Sequence, residues 1–75
     1  MSAERLDLRG VKCPANAARA LLRLECMDAG QELELWLDDG EPIDSVPPSL
    51  EQEGHEIVDR DRQGMHWCLR VRARR

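Results

Sequence analysis

Cys13 is the residue of this sequence whose type and position best suit nucleophilic chemistry. It lies between the turn 10–12 and a predicted helix that starts at Pro14. Unpaired amides and the dipole at a helix start favour negative charge, so a cysteine there ionises to the nucleophilic thiolate more readily than a free one. Lys12 adds a neighbouring positive charge, and Arg9 would add another if its side chain turned toward the loop. Position alone also allows a capping cysteine without a chemical role.

The other cysteines and the histidines give weaker signals. Cys26 lies near the end of the predicted first helix, and we interpret it as a packing residue or a surface thiol. Cys68 is predicted on the solvated face of a strand, where the alternatives are a tolerated sheet residue and a relay thiol. Closed zinc sites usually take closely spaced ligand pairs, and neither the cysteines nor His55 and His66 form one, so we expect no metal.

Two charged features have alternative explanations. The acidic turn 38–42 could suggest a cation site, but it suits a helix entry better, with Asp39 or Gly40 as the cap and Pro42 in the first turn. Arg19 lies on the outer face of the first helix, near Cys13. It is either a solvated side chain or a docking contact for an acidic partner.

Six predicted elements must position these residues. Period-two alternation predicts strands at 5–9, 31–37, 55–60 and 65–73, the last after a turn at 61–64. Helical spacing predicts a helix at 14–28 and a second one from the acidic turn to Gly54. Gly30 is available as a left-handed cap for the first helix, and Pro47 and Pro48 predict a kink or a restart in the second. The predicted inward residues of the first helix are Ala17, Ala18, Leu21 and Leu24.

The order β-α-β-α-β-β predicts an α+β fold. Its strand–helix–strand unit implies a parallel pair with a right-handed crossover, and the last two strands should be antiparallel. Alternating rather than continuous apolar residues indicate that only one sheet face is covered. We therefore expect one domain over residues 1–75: a two-layer α/β sandwich with a four-stranded mixed sheet and two helices on one face. The predicted wet face carries Arg5, Asp7, Arg9, Glu32, Glu34, Arg60, Arg70 and Arg72.

Composition restricts the class of function. The 75 residues carry a net charge of −4 and only 3% aromatic residues, which argues against nucleic-acid binding. The basic stripe of Arg70, Arg72, Arg74 and Arg75 is weak evidence for RNA contact on an acidic chain. We see no secretory signal, no apolar run long enough for a membrane helix and no Cys-x-x-Cys pair. We therefore expect a cytoplasmic monomer with reduced thiols.

The segment from Leu6 to Pro14 reads Leu-Asp-Leu-Arg-Gly-Val-Lys-Cys-Pro. It resembles the TusA/SirA-like sulfur-carrier family, in which Leu-Asp-x-Arg-Gly-x-x-Cys-Pro joins the first strand to the first helix. The segments 30–35, 46–47 and 53–56 are also similar to the family, so the resemblance covers nearly the whole chain. Asn16 stands where the family's Cys-Pro-x-Pro motif has its second proline.

The resemblance implies a sulfurtransferase that carries a persulfide on Cys13. Sulfur would come from a cysteine desulfurase, a rhodanese or another carrier and pass to an acceptor protein, without a cofactor. The residues expected to support the thiolate or its loop are Arg9, Gly10, Lys12, Pro14 and Asn16. Asn16 restores an N–H that proline lacks and adds a polar side chain near the thiol. The acceptor pathway stays open between tRNA thiolation, molybdenum-cofactor synthesis, sulfur oxidation and selenium handling.

Two other functions remain possible for this sequence. A non-catalytic regulatory or interaction module would use the open sheet face, with Trp36 as its anchor. A redox sensor would need a second thiol within disulfide reach of Cys13.

Overall fold

The computed structural model describes residues 4–74, and Arg75 of the predicted basic stripe lies outside this range. Six elements follow one another in the predicted order: β1 (Glu4–Asp7), α1 (Ala15–Glu25), β2 (Glu32–Asp38), α2 (Glu41–Gln52), β3 (Glu56–Gln63) and β4 (His66–Arg72). The strands form one sheet in the order β1-β2-β4-β3. β1 is parallel to β2, and β4 is antiparallel to both β2 and β3, which confirms the predicted mixed sheet.

The core lies between the helices and one face of the sheet. Leu33, Leu35 and Leu37 of β2 are fully buried, since alternate side chains of a strand point to the same face. Leu35 pairs with Leu6 of β1 and Leu69 of β4, which extends this apolar row across the sheet. The helices contribute Ala20, Leu24, Ile43, Val46 and Leu50 to the same cluster. Burial of one leucine side chain contributes about 1.5–3 kcal/mol.

Helix α1 is shorter than predicted and is rotated about its axis. It buries Asn16, Ala20 and Leu24, which are spaced four residues apart, whereas Ala18 is exposed. The prediction that Ala18 faces inward is therefore wrong, because a polar residue shares the buried stripe. The helix ends at Glu25, and Gly30 serves the entry to β2 instead of capping α1. Its N–H donates to the Ala73 carbonyl at 2.8 Å.

Helix α2 is continuous through two prolines. Gly40 is its N-cap with φ +98°, and Pro42 lies in the first turn, as the acidic turn predicted. Of the kink or restart predicted at Pro47 and Pro48, the restart does not occur, because one helix spans both residues. Pro47 is fully buried, and its packing helps to offset the missing backbone hydrogen bond.

Strand β3 contains a β-bulge that the sequence pattern did not predict. Ile57 pairs with Val71, but the register shifts before Asp59, which pairs with Arg70. An extra residue in one strand reverses the faces of all residues that follow it. Arg60 therefore pairs with Leu69 on the helix side, and its predicted place on the wet face is wrong.

The hairpin between β3 and β4 also differs from the prediction. β3 continues to Gln63, so the turn is Gly64–Met65 and not the predicted turn at 61–64. Met65 is 88% exposed at its tip and does not join the inward row of β4. Neither helix is long and apolar enough to cross a membrane in the part of the chain described.

The uncovered sheet face is lined with ion pairs between neighbouring strands. Arg5 lies 3.6 Å from Glu34, Arg70 lies 3.7 Å from Glu32, and Arg72 lies 3.2 Å from Glu32. These pairs confirm a solvated face with cross-strand charges. Each contributes at most about 1 kcal/mol, because the side chains are exposed.

Candidate functional site

Cys13 is exposed in the loop between β1 and α1. The helix starts at Ala15 with Pro14 as its N-cap residue, one position later than predicted, and the Cys13–Pro14 peptide bond is cis. Cys13 therefore directly precedes the cap. Its side chain lies at the positive end of the helix dipole, where negative charge is stabilised.

The first half of this loop is tied to the ends of β1 and β2. The Leu8 N–H donates to the Trp36 carbonyl at 2.9 Å and continues the parallel ladder beyond β1. The next hydrogen bond along the loop goes to a side chain instead of the main chain. In it, the Gly10 N–H donates to Asp38 Oδ2 at 2.7 Å. The Val11 N–H then turns back to the Leu8 carbonyl at 3.1 Å. Gly10 has φ +80°, a conformation that glycine adopts without steric cost.

Asn16 holds the second half of the loop. Its N–H donates to the Lys12 carbonyl at 3.1 Å, and its Oδ1 accepts the Ala17 N–H at 2.7 Å. The side chain is fully buried, and its Nδ2 has no hydrogen-bond partner among the described residues. The polar side chain predicted near the thiol therefore lies on the core side of α1.

Three backbone amides at or near Cys13 in sequence have no hydrogen-bond partner in the part of the chain that the structure describes. Asn16 and Ala17 use their N–H groups within the first turn, as described above. The N–H groups of Lys12, Cys13 and Ala15 have no hydrogen-bond partner within residues 4–74. Unpaired amides at a helix start form a ready site for an anion, and a thiolate or persulfide sulfur is such an anion.

The thiol opens onto a pocket of about 610 Å³ between two loops. One wall is the loop 10–13, and the other is formed by Asp38, Asp39, Glu41 and Pro42. The two walls face each other because β1 and β2 are parallel, so that the carboxyl ends of both strands lie at the same edge of the sheet. The sequence predicted the acidic turn only as a helix entry. The parallel strand–helix–strand unit was the signal that could have placed it beside Cys13.

Asp39 connects this pocket to the β3–β4 hairpin. Its carboxylate accepts a hydrogen bond from Trp67 Nε1 at 2.9 Å and one from Arg62 at 3.2 Å. The Trp67 bond, followed by the charge of Arg62, lowers the pKa of Asp39. Asp39 therefore stays ionised at neutral pH and holds one wall of the pocket against the hairpin.

Arg9 and Lys12 differ in their relation to the thiol. The guanidinium of Arg9 makes two bonds to Asp7, at 2.9 and 2.8 Å, and lies 4.6 Å from the centre of the Trp36 ring. The Arg9 side-chain hydrogen bond is the main reason that the pKa of Asp7 falls to about 2. Arg9 is thus engaged on the open sheet face and is not turned toward the loop. Lys12 is exposed and lines the pocket.

Trp36, the anchor of the alternative interaction module, is already covered. The guanidinium of Arg5 lies 4.7 Å from the centre of the Trp36 ring, in addition to the Arg9 contact described above. The centre of the His66 ring lies 5.1 Å from the same ring. The indole N–H donates to Glu34 at 2.7 Å. These neighbours therefore already occupy part of the Trp36 surface that the alternative module would use as its anchor.

The other thiols differ from Cys13 in position and environment. Cys68 lies on the open face as predicted, and its Sγ donates to Glu34 at 3.2 Å. Burial, followed by the hydrogen bond and the charge of Glu34, raises the pKa of Cys68 to about 11. Cys26 is exposed at the C-cap of α1, at the opposite end of the helix from Cys13.

The remaining candidate residues do not assemble into a second site. Arg19 is exposed on α1, where docking remains a prediction. His55 is buried at the junction of α2 and β3, and its Nδ1 accepts the Arg74 N–H at 3.2 Å. Within residues 4–74 no group of three or more His, Cys, Asp or Glu side chains is arranged to hold a metal ion.

Comparison with known proteins gives consistent matches along the chain. A family model described as "Sulfurtransferase TusA" matches residues 4–73. A protein of Archaeoglobus fulgidus named "Putative sulfur carrier protein" is 35% identical over 72 residues, which cover 95% of this chain and 82% of that protein. A protein of the same name from Thermotoga maritima is 27% identical over 70 residues, covering 92% and 89% of the two chains.

The fold has a close structural counterpart. The solution structure of HP1264 from Helicobacter pylori superimposes with a TM-score of 0.77 and covers 96% of this chain and 99% of that one, at 24% identity. That likeness concerns the fold alone. The match to the family model over residues 4–73 and the 35% identity to the archaeal protein establish the family as well as the fold: this chain belongs to the TusA sulfurtransferase family of sulfur carriers.

Proposed function

We propose that this protein accepts a sulfur atom as a persulfide on Cys13 and relays it to an acceptor protein. The observation that carries the proposal is the position of Cys13. It is exposed on a pocket wall, directly before the cap of α1, and three amides of the loop and the helix start beside it have no hydrogen-bond partner within residues 4–74. Membership of a sulfur-carrier family supplies the class of reaction.

The transfer is an exchange at divalent sulfur. The Cys13 thiolate attacks the outer sulfur of a donor persulfide, R–S–SH, forming a new S–S bond while the donor S–S bond breaks. The donor leaves as the thiolate R–S⁻, and Cys13 carries –S–SH. An acceptor thiolate then attacks the outer sulfur, and Cys13 leaves as a thiolate. No net oxidation occurs, and the step needs neither a metal nor a cofactor.

The open site suits a protein-to-protein relay. A carrier must present its sulfur to two partners in turn, so the thiol has to be accessible from outside. The donor would be a cysteine desulfurase, a rhodanese or another carrier, and the acceptor a sulfur-using enzyme. The loop amides would stabilise the charge on the persulfide sulfur between the two encounters.

The environment of Cys68 makes it a poor substitute for Cys13. A thiol whose pKa is raised to about 11 is almost entirely protonated at neutral pH, and only the thiolate is nucleophilic. Cys26 is exposed but lies at the helix C-terminus, where the dipole opposes negative charge. It therefore serves as a matched control for an exposed thiol.

The test is mass spectrometry after incubation with a cysteine desulfurase and cysteine. We expect the wild-type protein to gain the mass of one sulfur atom on the peptide that contains Cys13, and a second thiol to remove it. Cys13→Ser should abolish the gain, whereas Cys26→Ser and Cys68→Ser should retain it. Sulfur on Cys26 or Cys68, or an unmodified Cys13, would contradict the proposal.

A further inference from the structure

The loop that carries Cys13 depends on one long-range side-chain contact. Asp38 Oδ2 accepts the Gly10 N–H at 2.7 Å, and the two residues are 28 positions apart in sequence. A hydrogen bond from an amide to a charged carboxylate is about twice as strong as one between neutral groups. The contact therefore fixes Gly10 relative to β2 more firmly than an ordinary loop bond would.

The contact occurs where the sheet can no longer hold the chain. β1 ends at Asp7, and the Leu8 N–H makes the last backbone bond of the β1–β2 ladder, to Trp36. Two residues further on, the Asp38 side chain replaces the main-chain carbonyl that a longer strand would supply. Because Gly10 adopts φ +80°, its N–H can turn to the carboxylate while the chain bends toward Cys13.

The loop is thus attached at two points on either side of a short free segment. Asp38 holds Gly10, and α1 holds the Lys12 carbonyl through the Asn16 N–H at 3.1 Å. The amides of Lys12 and Cys13 lie between or next to these points and have no other partner within residues 4–74. Release of Gly10 would remove one of the two attachments that set the position of the segment containing Cys13.

We propose that Asp38 is a positioning residue for sulfur transfer, which acts by holding Gly10 and thereby setting the place of the Cys13 thiol and its surrounding amides. The inference rests on the proposed function, because it assigns a role in that reaction. Asp38 does not exchange a proton or form a bond to sulfur. Asp39 has different partners, since its carboxylate accepts hydrogen bonds from Trp67 and Arg62 on the hairpin side.

The first test is the rate of persulfide formation with two variants of Asp38 and a charge control. Asp38→Asn keeps an acceptor oxygen for Gly10, whereas Asp38→Ala removes it. Asp44→Asn removes one carboxylate from the exposed first turn of α2 and leaves the Gly10 contact intact. All three variants change the net charge by the same amount.

Inorganic tetrasulfide serves as the sulfur donor. The Cys13 thiolate takes one sulfur atom and trisulfide leaves, so that charge and atoms balance. With Asp38→Ala we expect transfer to slow about tenfold, since small displacements of a reacting group have large effects on rate. Asp38→Asn should restore the rate to within about twofold of wild type. Asp44→Asn should match wild type, which excludes net charge as the cause.

The second test starts from the wild-type protein and then compares it with Asp38→Ala. Amide hydrogen exchange measured by NMR in the wild-type protein should show the Gly10 amide at least about tenfold slower than the Lys12 and Cys13 amides, after correction for intrinsic rates. Asp38→Ala should remove this protection and leave that of Leu35 in β2 unchanged. The Leu35 amide also reports whether the variant is folded.

The results separate the two proposals. Sulfur on Cys13 of the wild type, combined with an unchanged rate in Asp38→Ala or an unprotected Gly10, would overturn the role of Asp38 alone. A rate in Asp38→Asn as low as in Asp38→Ala would overturn it as well. Failure of the wild-type protein to take sulfur on Cys13 would instead refute the proposed function, whatever the exchange of Gly10 shows.

Discussion

Alkylation of Cys68 in the folded protein should be far slower than alkylation of the same residue after unfolding. Cys68 is partly buried on the open sheet face and donates its S–H to Glu34 at 3.2 Å. Burial and the adjacent carboxylate raise its pKa to about 11. Unfolding removes both causes and returns the thiol to its ordinary ionisation. The comparison therefore isolates what the fold does to this side chain.

The size of the effect follows from the thiolate fraction. At about pH 8, a thiol with a pKa of about 11 is ionised in about one molecule in a thousand. An ordinary thiol with a pKa of about 9.0 is ionised in about one molecule in ten. The folded rate should therefore be about 100-fold below the unfolded rate, before any steric protection is counted.

The assay is iodoacetamide labelling with peptide mass spectrometry, in buffer and in concentrated urea. In the folded protein the Cys68 rate should rise about tenfold per pH unit from about pH 8 to about pH 10, because this range lies below its pKa. Glu34→Gln removes the negative charge beside the sulfur and should raise the folded rate at about pH 8. Folded and unfolded rates within about tenfold of each other would refute the reasoning.

Two further predictions concern stability. Leu24→Ala should lower the free energy of unfolding by about 2–5 kcal/mol because Leu24 is fully buried, whereas Leu22→Ala should change it by less than about 0.5 kcal/mol because Leu22 is 69% exposed on the same helix. Urea unfolding measures both, and equal losses would contradict the orientation of α1. Arg9 lowers the pKa of Asp7 from 3.8 to about 2. The pair therefore stabilises the fold fully at pH values above 3.8, and this stabilisation is lost as the pH falls through about 2. Asp7→Asn should therefore weaken the pH dependence of stability in that acidic window, and acid-unfolding curves of identical shape would count against the ion pair.

The parts of the fold that sequence could predict are those with strict periodicity. β2 alternates without interruption from Glu32 to Asp38, and all three of its leucines are buried as the pattern indicates. Alternation on several strands also correctly predicted that one sheet face stays uncovered. These features depend on local geometry, which the order of residue types encodes directly.

The parts that could not be predicted depend on a competition between neighbours. Ile57 and Val58 are both β-branched and apolar, so nothing in the residue types indicates which of them is displaced by the bulge. In α1, apolarity favoured Ala18 over Asn16 as the inward residue, yet the structure buries Asn16 and exposes Ala18. The face of a helix with many small residues is set by packing against the sheet, since alanines bury little area on either side.

The candidate site shows the same division between local and tertiary information. The position of Cys13 before a helix followed from its sequence neighbours, Gly10 and Pro14 among them. The second wall of the pocket did not, because Asp38 and Asp39 have the residue types expected at any helix entry. Their contacts to Gly10 and Trp67 each span 28 residues and exist only once the sheet has formed.

Asn16, in the first turn of α1, is the residue of the candidate site whose presence the stability of the fold explains least. A proline at this position would have no N–H and could not donate to the Lys12 carbonyl. Asparagine makes that bond and also accepts the Ala17 N–H, and each such bond contributes about 0.5–1.5 kcal/mol. Its buried and unpartnered Nδ2 costs about 1–3 kcal/mol, so that gain and cost largely cancel. The remaining effect of Asn16 is on geometry. Its hydrogen bonds fix the first turn of α1, as the rigid ring of a proline would, and one of them attaches that turn to Lys12, the residue before Cys13.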